Sequence, residues 1–365
     1  MPVSKENIID ALRTVDDPDL KKDLVTLNMI RDVTVKEKEI SFTVVLTTPA
    51  CPLKEKIKKD CVDAVRIVAG PEYSIKIEMT SDVSSLNQNQ ELKGVRNVIA
   101  VASGKGGVGK STVAANLAVA LAMSGAKVGL VDADIYGPSV PLFFGLQGER
   151  PNVINKDGKD MLVPFIKYGV KLNSIGFLVE PGQAVVWRGP MASKALQQLI
   201  FDTNWEDLDY LIIDMPPGTG DIHLTLVQRL PVTGVLIVTT PQEVALADAR
   251  KGAEMFRMPQ VNVPILGIVE NMSYFSTPEN PEKKYFLFGK GGGETLAQEL
   301  NVPLLAQLPI VETVREGGDS GSPIAIKSES ESGKAFMLLA GNTARMIAMR
   351  NGQAPPTQKV EILYR

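Results

Sequence analysis

The chain has 365 residues, enough for about two domains, and with 44% hydrophobic and 22% charged residues it is too apolar to be disordered as a whole. Its formal net charge of -3 gives no general attraction for polyanions, so we expect neither nucleic acid nor a membrane surface as a partner. Two cysteines are too few for a disulfide framework, and no apolar signal segment opens the sequence, so we expect a cytoplasmic protein.

The first 82 residues predict a small α+β domain. The pattern indicates two helices and two strands, in the order helix 7–15, strand 40–46, helix 52–69 and strand 73–79. A polar stretch without apolar periodicity follows, and we interpret residues 83–95 as a linker.

Residues 96–350 predict a second, larger domain of the α/β class. Apolar strands alternate with helical segments, which is typical of βαβ units around a mostly parallel sheet with helices on both faces. The predicted strands are 98–102, 128–131, 210–213, 235–238, 265–269 and 304–308. An amphipathic helix over 334–350 ends this domain, and residues 351–365 form a short C-terminal tail.

A glycine-rich loop joins the strand 98–102 to the next helix. The loop fills every fixed position of the pattern G-x-x-x-x-G-K-[ST], and its residues are Gly104, Lys105, Gly106, Gly107, Val108, Gly109, Lys110, Ser111 and Thr112. Glycines let backbone N–H groups surround phosphate oxygens, and the positive end of the following helix favours the anion. We expect Lys110 to reach the β- and γ-phosphates of a nucleotide, and Ser111 to ligate Mg²⁺.

Carboxylates end two of the predicted strands, at the sheet edge where doubly wound folds bind ligands. Asp132 and Asp134 follow the strand 128–131, and one of them can orient an attacking water molecule. Asp214 ends the strand 210–213 in the manner of a Walker B residue, so we expect it to hold Mg²⁺ through water.

A second loop, after Asp214, has the composition of a nucleotide switch. Gly218 and Gly220 can supply backbone N–H groups and the freedom to rearrange around a γ-phosphate. His223 is the only histidine, and we assign it no role.

Lys105 gives the phosphate loop a second lysine. The loop therefore resembles the deviant Walker A motif of the ATPases that include nitrogenase iron protein and the septum-positioning and plasmid-partition proteins. In that class this lysine crosses a dimer interface to the partner's nucleotide, which implies a homodimer; the alternative is a solvated loop lysine. The resemblance also implies that Asp134 activates water with support from Asp132, and that Asp221 belongs to the switch, although strand-end carboxylates also cap turns.

The lack of a guanine-recognition motif favours ATP over GTP as the nucleotide. A GTPase would carry N-K-x-D late in the fold, whereas residues 155–158 fail the last position and precede the Walker B strand. By the same resemblance, Asn271 and residues 308–310 lie on the adenine side of the nucleotide; the alternative is that each is a turn.

Taken together, segments 104–112, 132–139, 214–221 and 269–275 resemble the Mrp/ApbC family of iron–sulfur cluster carrier ATPases, over residues 96–345. Residues 1–82 resemble the small iron–sulfur assembly domain often fused to such proteins. The resemblance implies a slow, Mg²⁺-dependent ATPase that loads clusters onto apoproteins, with those apoproteins and assembly factors as partners.

The sequence departs from this family at the cluster site. The family is expected to hold a cluster between two subunits through C-x-x-C, because paired thiolates ligate iron well. Aligning a shared proline places Thr277 and Asn280 at the two cysteine positions, and neither supplies a thiolate. Cys51 is then a candidate iron–sulfur ligand, paired across a dimer or with a client's ligands, or else a small turn-packing residue. Cys61 is expected to be a buried helix residue.

Two functions follow from these observations. The first is an ATP-hydrolysing carrier of iron–sulfur clusters, in which closure on ATP controls cluster or partner binding. The alternative is a cluster-free, ATP-switched adaptor or positioning ATPase. Membrane positioning is disfavoured because the C-terminal tail is short and contains Pro355 and Pro356.

Overall fold

The structure is a computed structural model that describes residues 3–87, 92–179, 189–277 and 280–353. Its described residues form two compact units, a smaller one within Met1–Ser84 and Ala344–Ala354 and a larger one within Ser85–Thr343.

The smaller unit is an α+β fold around a three-stranded sheet. Its elements are α1 (Lys5–Leu12), β1 (Asp16–Asp17), β2 (Lys22–Asp23), β3 (Ile30–Lys36), β4 (Glu39–Leu46), α2 (Lys54–Ala69) and β5 (Ser74–Ser81). Strand β4 lies in the centre, antiparallel to β3 and parallel to β5. Helix α1 begins where Ser4 and Asn7 form a capping box, which satisfies two backbone N–H groups at its start.

The core of the smaller unit forms between its sheet and its two helices. Alternate residues of β4, such as Ile40 and Phe42, are buried against Leu12 of α1 and Cys61 and Val65 of α2. The last turns of the C-terminal helix also belong to this unit, because Arg345 forms an ion pair with Asp19. The predicted limits, a domain over 1–82, a linker over 83–95 and a second domain from 96 to 350, stay predictions.

The larger unit alternates strands and helices. Its elements are β6 (Val95–Ala102), α3 (Lys110–Met123), β7 (Val128–Asp132), α4 (Val140–Phe143), β8 (Val153–Lys156), β9 (Lys159–Leu162), β10 (Phe165–Lys167), β11 (Val170–Ser174), α5 (Gly189–Phe201), β12 (Leu208–Asp214), α6 (Asp221–Arg229), β13 (Val232–Thr239), α7 (Glu243–Arg257), β14 (Ile265–Thr277), β15 (Asn280–Tyr285), α8 (Gly292–Glu299), β16 (Leu304–Pro309), α9 (Glu312–Asp319) and the part of α10 (Glu331–Gln353) that precedes Ala344. Two short 3₁₀ turns, Ile175–Phe177 and Ile324–Ile326, complete its described part.

A central sheet organises this unit. The strand order is β10-β11-β7-β12-β6-β13-β14-β15, and β16 also pairs with β14. The pairs from β11 to β14 and the pair β14–β16 are parallel, whereas β10 and β15 are antiparallel to their neighbours. All the parallel strands therefore place their carboxyl ends at one edge.

Helices cover both faces of this sheet. Along β6, Val98, Ala100 and Ala102 join a buried cluster with residues of α5 to α8. The residues between them, Ile99 and Val101, point to the opposite face because side chains alternate along a strand. Helix α3, which is almost wholly buried, contacts five strands of the sheet. The predicted fold class, a mostly parallel α/β sheet preceded by a small α+β domain, is confirmed.

Strand β14 differs from its prediction in length. The pattern predicts a strand over 265–269, but the strand continues to Thr277 and turns back as β15. Between Glu270 and Tyr274, three residues of β14 stand opposite the single residue that separates Gln307 from Pro309 on β16. Such a bulge interrupts the alternation from which strands are predicted, so the pattern ends at Val269.

Candidate functional site

The phosphate loop lies between β6 and α3, at the carboxyl edge of the sheet. Gly109 stands before α3 with a left-handed φ of +78°. A Cβ atom at Gly104 would lie 2.1 Å from the backbone carbon of Asp248 in α7, so a side chain is excluded there. Gly106 and Gly107 instead face open space, which leaves the loop free to receive an anion.

A cavity of about 270 Å³ opens over this loop. Its walls include the predicted loop residues Lys105, Gly106, Gly107, Gly109, Lys110, Ser111 and Thr112, together with Asp134 and Ser139. Val108 is buried beneath the loop, and Lys105 is half-buried. The structure thus brings the predicted phosphate-binding residues to one concave surface.

Lys110 and Asp134 line the cavity and form a charged centre together with the buried Asp214. The Lys110 ammonium lies 2.6 Å from Asp214 Oδ1 and 3.9 Å from Asp134 Oδ2. Asp214 is fully buried, and burial raises the pKa of its carboxyl, whereas the Lys110 charge lowers it. A buried pair of this kind is stable only while both partners are present.

Asp132 holds the loop that carries Asp134. One of its carboxylate oxygens accepts hydrogen bonds from Ser139 N and Val140 N at 2.9 Å and from Ser174 Oγ at 3.0 Å. The other accepts from the backbone N–H of Asp134 at 3.2 Å. Burial, followed by the nearby charge of Asp214, raises the pKa of Asp132. Asp132 therefore anchors both ends of the 134–139 loop, and these hydrogen bonds describe how it could support Asp134 as predicted.

The second switch loop is tied to the phosphate loop. Gly218, with a φ of +91°, donates its N–H to the carbonyl oxygen of Ser103 at 3.0 Å, and Gly220 stands just before α6. Asp221 begins α6, but its side chain lies outside the described residues. His223 is buried and donates from Nε2 to Pro216 O, and burial lowers the pKa of its imidazole.

The donor set at the sheet edge fits a magnesium ion. Asp214 Oδ2 is buried and has no hydrogen-bond partner among the described residues, so one carboxylate oxygen is left for a ligand. Ser111 Oγ accepts a hydrogen bond at 3.3 Å from the Lys110 ammonium, which also donates to the other oxygen of Asp214. Carboxylate and hydroxyl oxygens are the ligands that Mg²⁺ prefers.

Asn271 lies against the phosphate loop and opens onto a second cavity. Its side-chain amide donates to Val108 O at 2.8 Å, and a Cβ atom at Gly109 would lie 2.2 Å from that amide nitrogen. The second cavity, of about 610 Å³, is lined mainly by apolar side chains, and its walls include Thr112, Phe143, Asn271, Phe275, Pro309 and Ile310. Asn271 and two of the residues 308–310 therefore line the same cleft. An apolar cleft with a few polar groups suits a flat heterocycle.

The site also uses residues that the sequence interpretation missed. Phe143 lines both cavities, and Glu270 is a fully buried carboxylate next to Asn271. The run Val-Glu-Asn carried a signal for Glu270, because a charged residue inside an apolar strand is rarely buried without partners.

Two families match this chain. The family described as NUBPL iron-transfer P-loop NTPase matches residues 94–344, and the family described as iron-sulfur cluster assembly protein matches residues 5–77. The chain belongs to the NUBPL iron-transfer P-loop NTPases. This membership confirms the family predicted from the motifs.

Relatives of this NTPase extend over both units. A protein of Synechocystis sp. named iron-sulfur cluster carrier protein is 51% identical over 95% of this chain and 99% of its own length. Proteins of the same name from Deinococcus radiodurans and Escherichia coli K12 are 46% and 45% identical, over 96% and 90% of this chain and 98% and 89% of their own lengths.

Solved structures resemble the NTPase over the larger part of the chain. A nucleotide-binding protein of Archaeoglobus fulgidus, solved in complex with ADP, is 37% identical with a TM-score of 0.58, over 68% of this chain and 94% of its own. The cell division ATPase MinD of Pyrococcus furiosus is 27% identical with a TM-score of 0.50, over 67% of this chain and 97% of its own.

The NTPase has no thiolate at the positions where the resemblance predicts cluster ligands. Thr277 and Asn280 are direct cross-strand partners at the end of the β14–β15 hairpin. Cross-strand partners have Cβ atoms about 5 Å apart, so cysteines there would converge on one site. Within the described residues, no three His, Cys, Asp or Glu side chains are grouped as a metal site.

The two cysteines of the NTPase lie in different surroundings. Cys51 is half-buried in the loop before α2, in a narrow pocket that also contains Asp17, Asp19 and Arg345. Burial, and then the charges of Asp17 and Asp19, raise the pKa of the Cys51 thiol. Cys61 is fully buried in α2, and burial raises the pKa of its thiol to about 12. Cys51 is therefore the more accessible thiol.

None of the described helices is both long and apolar enough to cross a bilayer.

Proposed function

We propose that this P-loop NTPase is a Mg²⁺-dependent ATPase that carries iron–sulfur clusters and loads them onto apoproteins in the cytoplasm. The observation that carries the nucleotide part is the buried centre of Lys110, Asp214 and Asp134 beneath a loop whose glycines face open space. The carrier part is supported by the membership of the chain in the iron-transfer family and by the names of its relatives.

The phosphates of ATP bind in the cavity over the loop. Backbone N–H groups of the loop surround the phosphate oxygens, and Lys110 leaves Asp214 to neutralise the β- and γ-phosphates. Asp134 orients the attacking water, and it keeps its place because Asp132 fixes the loop around it.

Ser111 and Asp214 are the residues that would hold a magnesium ion, Asp214 through water. When bound, the ion would supply positive charge that stabilises the phosphate oxygens. The free oxygen of Asp214 supports this assignment.

The adenine ring occupies the larger cavity. Apolar side chains cover its faces, and Asn271 and the backbone near Pro309 and Ile310 supply polar edges. The slow turnover expected from the resemblance is part of the proposal.

Nucleotide state is communicated through the switch loop. The Gly218 N–H donates to Ser103 O, and this bond keeps it from donating to a γ-phosphate oxygen. When ATP binds, the Gly218 N–H exchanges Ser103 O for the γ-phosphate, and the loop that contains Gly218 and Gly220 moves. Asp221 follows this loop and is assigned to the switch by the resemblance to the deviant Walker A ATPases. Lys105 reaches the nucleotide of a second copy, so the ATP-bound form is a homodimer.

Cys51 is the proposed cluster ligand in the absence of the hairpin cysteines. It is the more exposed of the two thiols, and two copies in a dimer bring two of them. Apoproteins and assembly factors are the partners that complete the ligand set or receive the cluster.

The experiment is ATP-dependent transfer of a reconstituted cluster to an apo-ferredoxin under anaerobic conditions. We expect transfer by the wild-type protein with ATP and a strong reduction in Lys110→Ala. If the protein hydrolyses ATP but neither binds iron nor transfers a cluster, the carrier function is wrong and the cluster-free adaptor is the better assignment. The absence of thiols at Thr277 and Asn280 is the observation that favours this alternative.

A further inference from the structure

Glu270 is a carboxylate with an exposed fraction of 0% in the middle of β14, and it lines neither the cavity over the phosphate loop nor the larger cavity beside Asn271. Burial of a charged side chain is costly unless its oxygens are hydrogen-bonded. The bonds that Glu270 receives therefore show what its burial is used for.

Three donors from three parts of the fold converge on this carboxylate. Ser273 Oγ and Gln307 Nε2 both donate to Oε1, the latter at 3.0 Å. The backbone N–H of Gly293, in the first turn of α8, donates to Oε2. A Cβ atom at Gly293 would lie 2.7 Å from Glu270 Cβ, so the approach of α8 is as close as a glycine permits.

These bonds enclose the bulge of β14. Glu270 stands opposite Gln307 at one end of the bulge, and Ser273 lies at the other end, before the pairing resumes at Tyr274 and Pro309. Within the bulge Met272 adopts a left-handed φ of +54°, a conformation that a side chain rarely takes without support. The carboxylate thus fixes both ends of a segment that the strand ladder does not fix.

The bulge delivers Asn271 to the phosphate loop. The Asn271 amide donates to Val108 O at 2.8 Å and lies where a Cβ atom at Gly109 would be. In a regular strand Glu270 and Asn271 would both belong to the ladder, so the position of Asn271 depends on the bulge.

We propose that Glu270 is a positioning residue of the nucleotide site: its carboxylate holds the bulge that carries Asn271 onto the phosphate loop, and ATP affinity depends on it. This inference rests on the proposed binding of ATP. Glu270 is outside the walls of both cavities and acts through Asn271.

Glu270→Gln tests the inference, because glutamine keeps the volume but places an NH₂ group against at least one of the three donors. We expect ATP to bind about tenfold more weakly, as KM rises and kcat is kept. The effect of Glu270→Gln should vanish in an Asn271→Ala background, since both changes then remove the same contact. Glu299→Gln on the surface of α8 is the matched control.

A second measurement does not need nucleotide. Hydrogen exchange of residues 104–112 in the free protein should quicken in Glu270→Gln and in Asn271→Ala alike. If Glu270→Gln does not fold, Ser273→Ala removes one donor and should give the same changes at smaller size. Unchanged exchange in a folded variant, or effects of Glu270→Gln and Asn271→Ala that simply add, would overturn the positioning role. Failure of the wild-type protein to bind ATP would instead overturn the proposed function. The hydrogen-exchange result would then decide the positioning role of Glu270 by itself.

Discussion

Two sites along one strand, β14, differ in how much of the predicted chemistry their residues carry. At Asn271 the strand meets the phosphate loop and a cavity of about 610 Å³, and the same loop leads into Lys110, which pairs with the predicted carboxylate Asp214. At Thr277 the same strand pairs with Asn280, where the resemblance predicts two cysteines.

The difference shows what a fold supplies and what single side chains must supply. A phosphate site is built mainly from backbone N–H groups and a helix start, which the β6–α3 connection provides. A cluster site is built from thiolates, and a hairpin of the right geometry cannot replace them. The fold can therefore remain nucleotide-competent when its hairpin has no cluster ligand.

Removal of Lys110 tests the nucleotide end and has the largest expected effect. In Lys110→Ala the transferring phosphoryl group loses its cation, and we expect kcat for ATP hydrolysis to fall by at least about 100-fold. Steady-state phosphate release measures this, with exposed Lys334→Ala as a lysine control. Because Asp214 loses its buried partner, circular dichroism must show that the variant is folded. Unchanged hydrolysis would sink the phosphate-loop assignment.

Two glycines of the loop separate folding from binding. Gly104→Ala places a Cβ atom against the backbone of α7, and we expect the free energy of unfolding to fall by about 2 kcal/mol. Gly106→Ala makes the same chemical change in open space, so stability should be kept while ATP affinity falls several-fold. Urea unfolding and calorimetric titration of ATP measure the two effects. Equal losses of stability in both variants would contradict the described loop geometry.

Cysteines restored to the hairpin test the other end of β14. In Thr277→Cys/Asn280→Cys, made in a Cys51→Ser background that removes the proposed ligand, the thiolates face each other across the strands, and iron retained after anaerobic reconstitution should rise by about tenfold or more over Cys51→Ser alone. The double serine variant at the same positions is the matched control. No gain of iron in the cysteine variant would show that the hairpin lacks the geometry as well as the ligands.

Loss of Lys105 has the smallest expected effect. If this lysine reaches the nucleotide of a second copy, Lys105→Ala should weaken dimerisation with a non-hydrolysable ATP analogue by about fivefold and leave the nucleotide-free protein unchanged. Sedimentation velocity measures both states. A dimer constant unaffected by the substitution would leave Lys105 as a solvated loop residue.

Local spacing explains why the phosphate loop and the fold class were predictable. Gly104 to Thr112 form one continuous segment, and the apolar strands around it repeat the same alternation. The partners of Asp132 were not predictable, because Ser174 follows it by 42 positions and meets it only through the pairing of β7 and β11. The bulge of β14 was missed for a related reason: two of the three donors to Glu270 come from α8 and β16, which are distant in sequence.

The most direct test of cluster carriage is the iron and acid-labile sulfide content per protomer after anaerobic reconstitution, compared among the wild-type protein, Cys51→Ser and Cys61→Ser. Both single changes replace a thiol by a hydroxyl, but only Cys51 is accessible. We expect a stable cluster in the wild-type protein and in folded Cys61→Ser, and its loss in Cys51→Ser. Equal iron in Cys51→Ser would contradict the proposed ligand, and a wild-type protein without any stable cluster would contradict carriage itself.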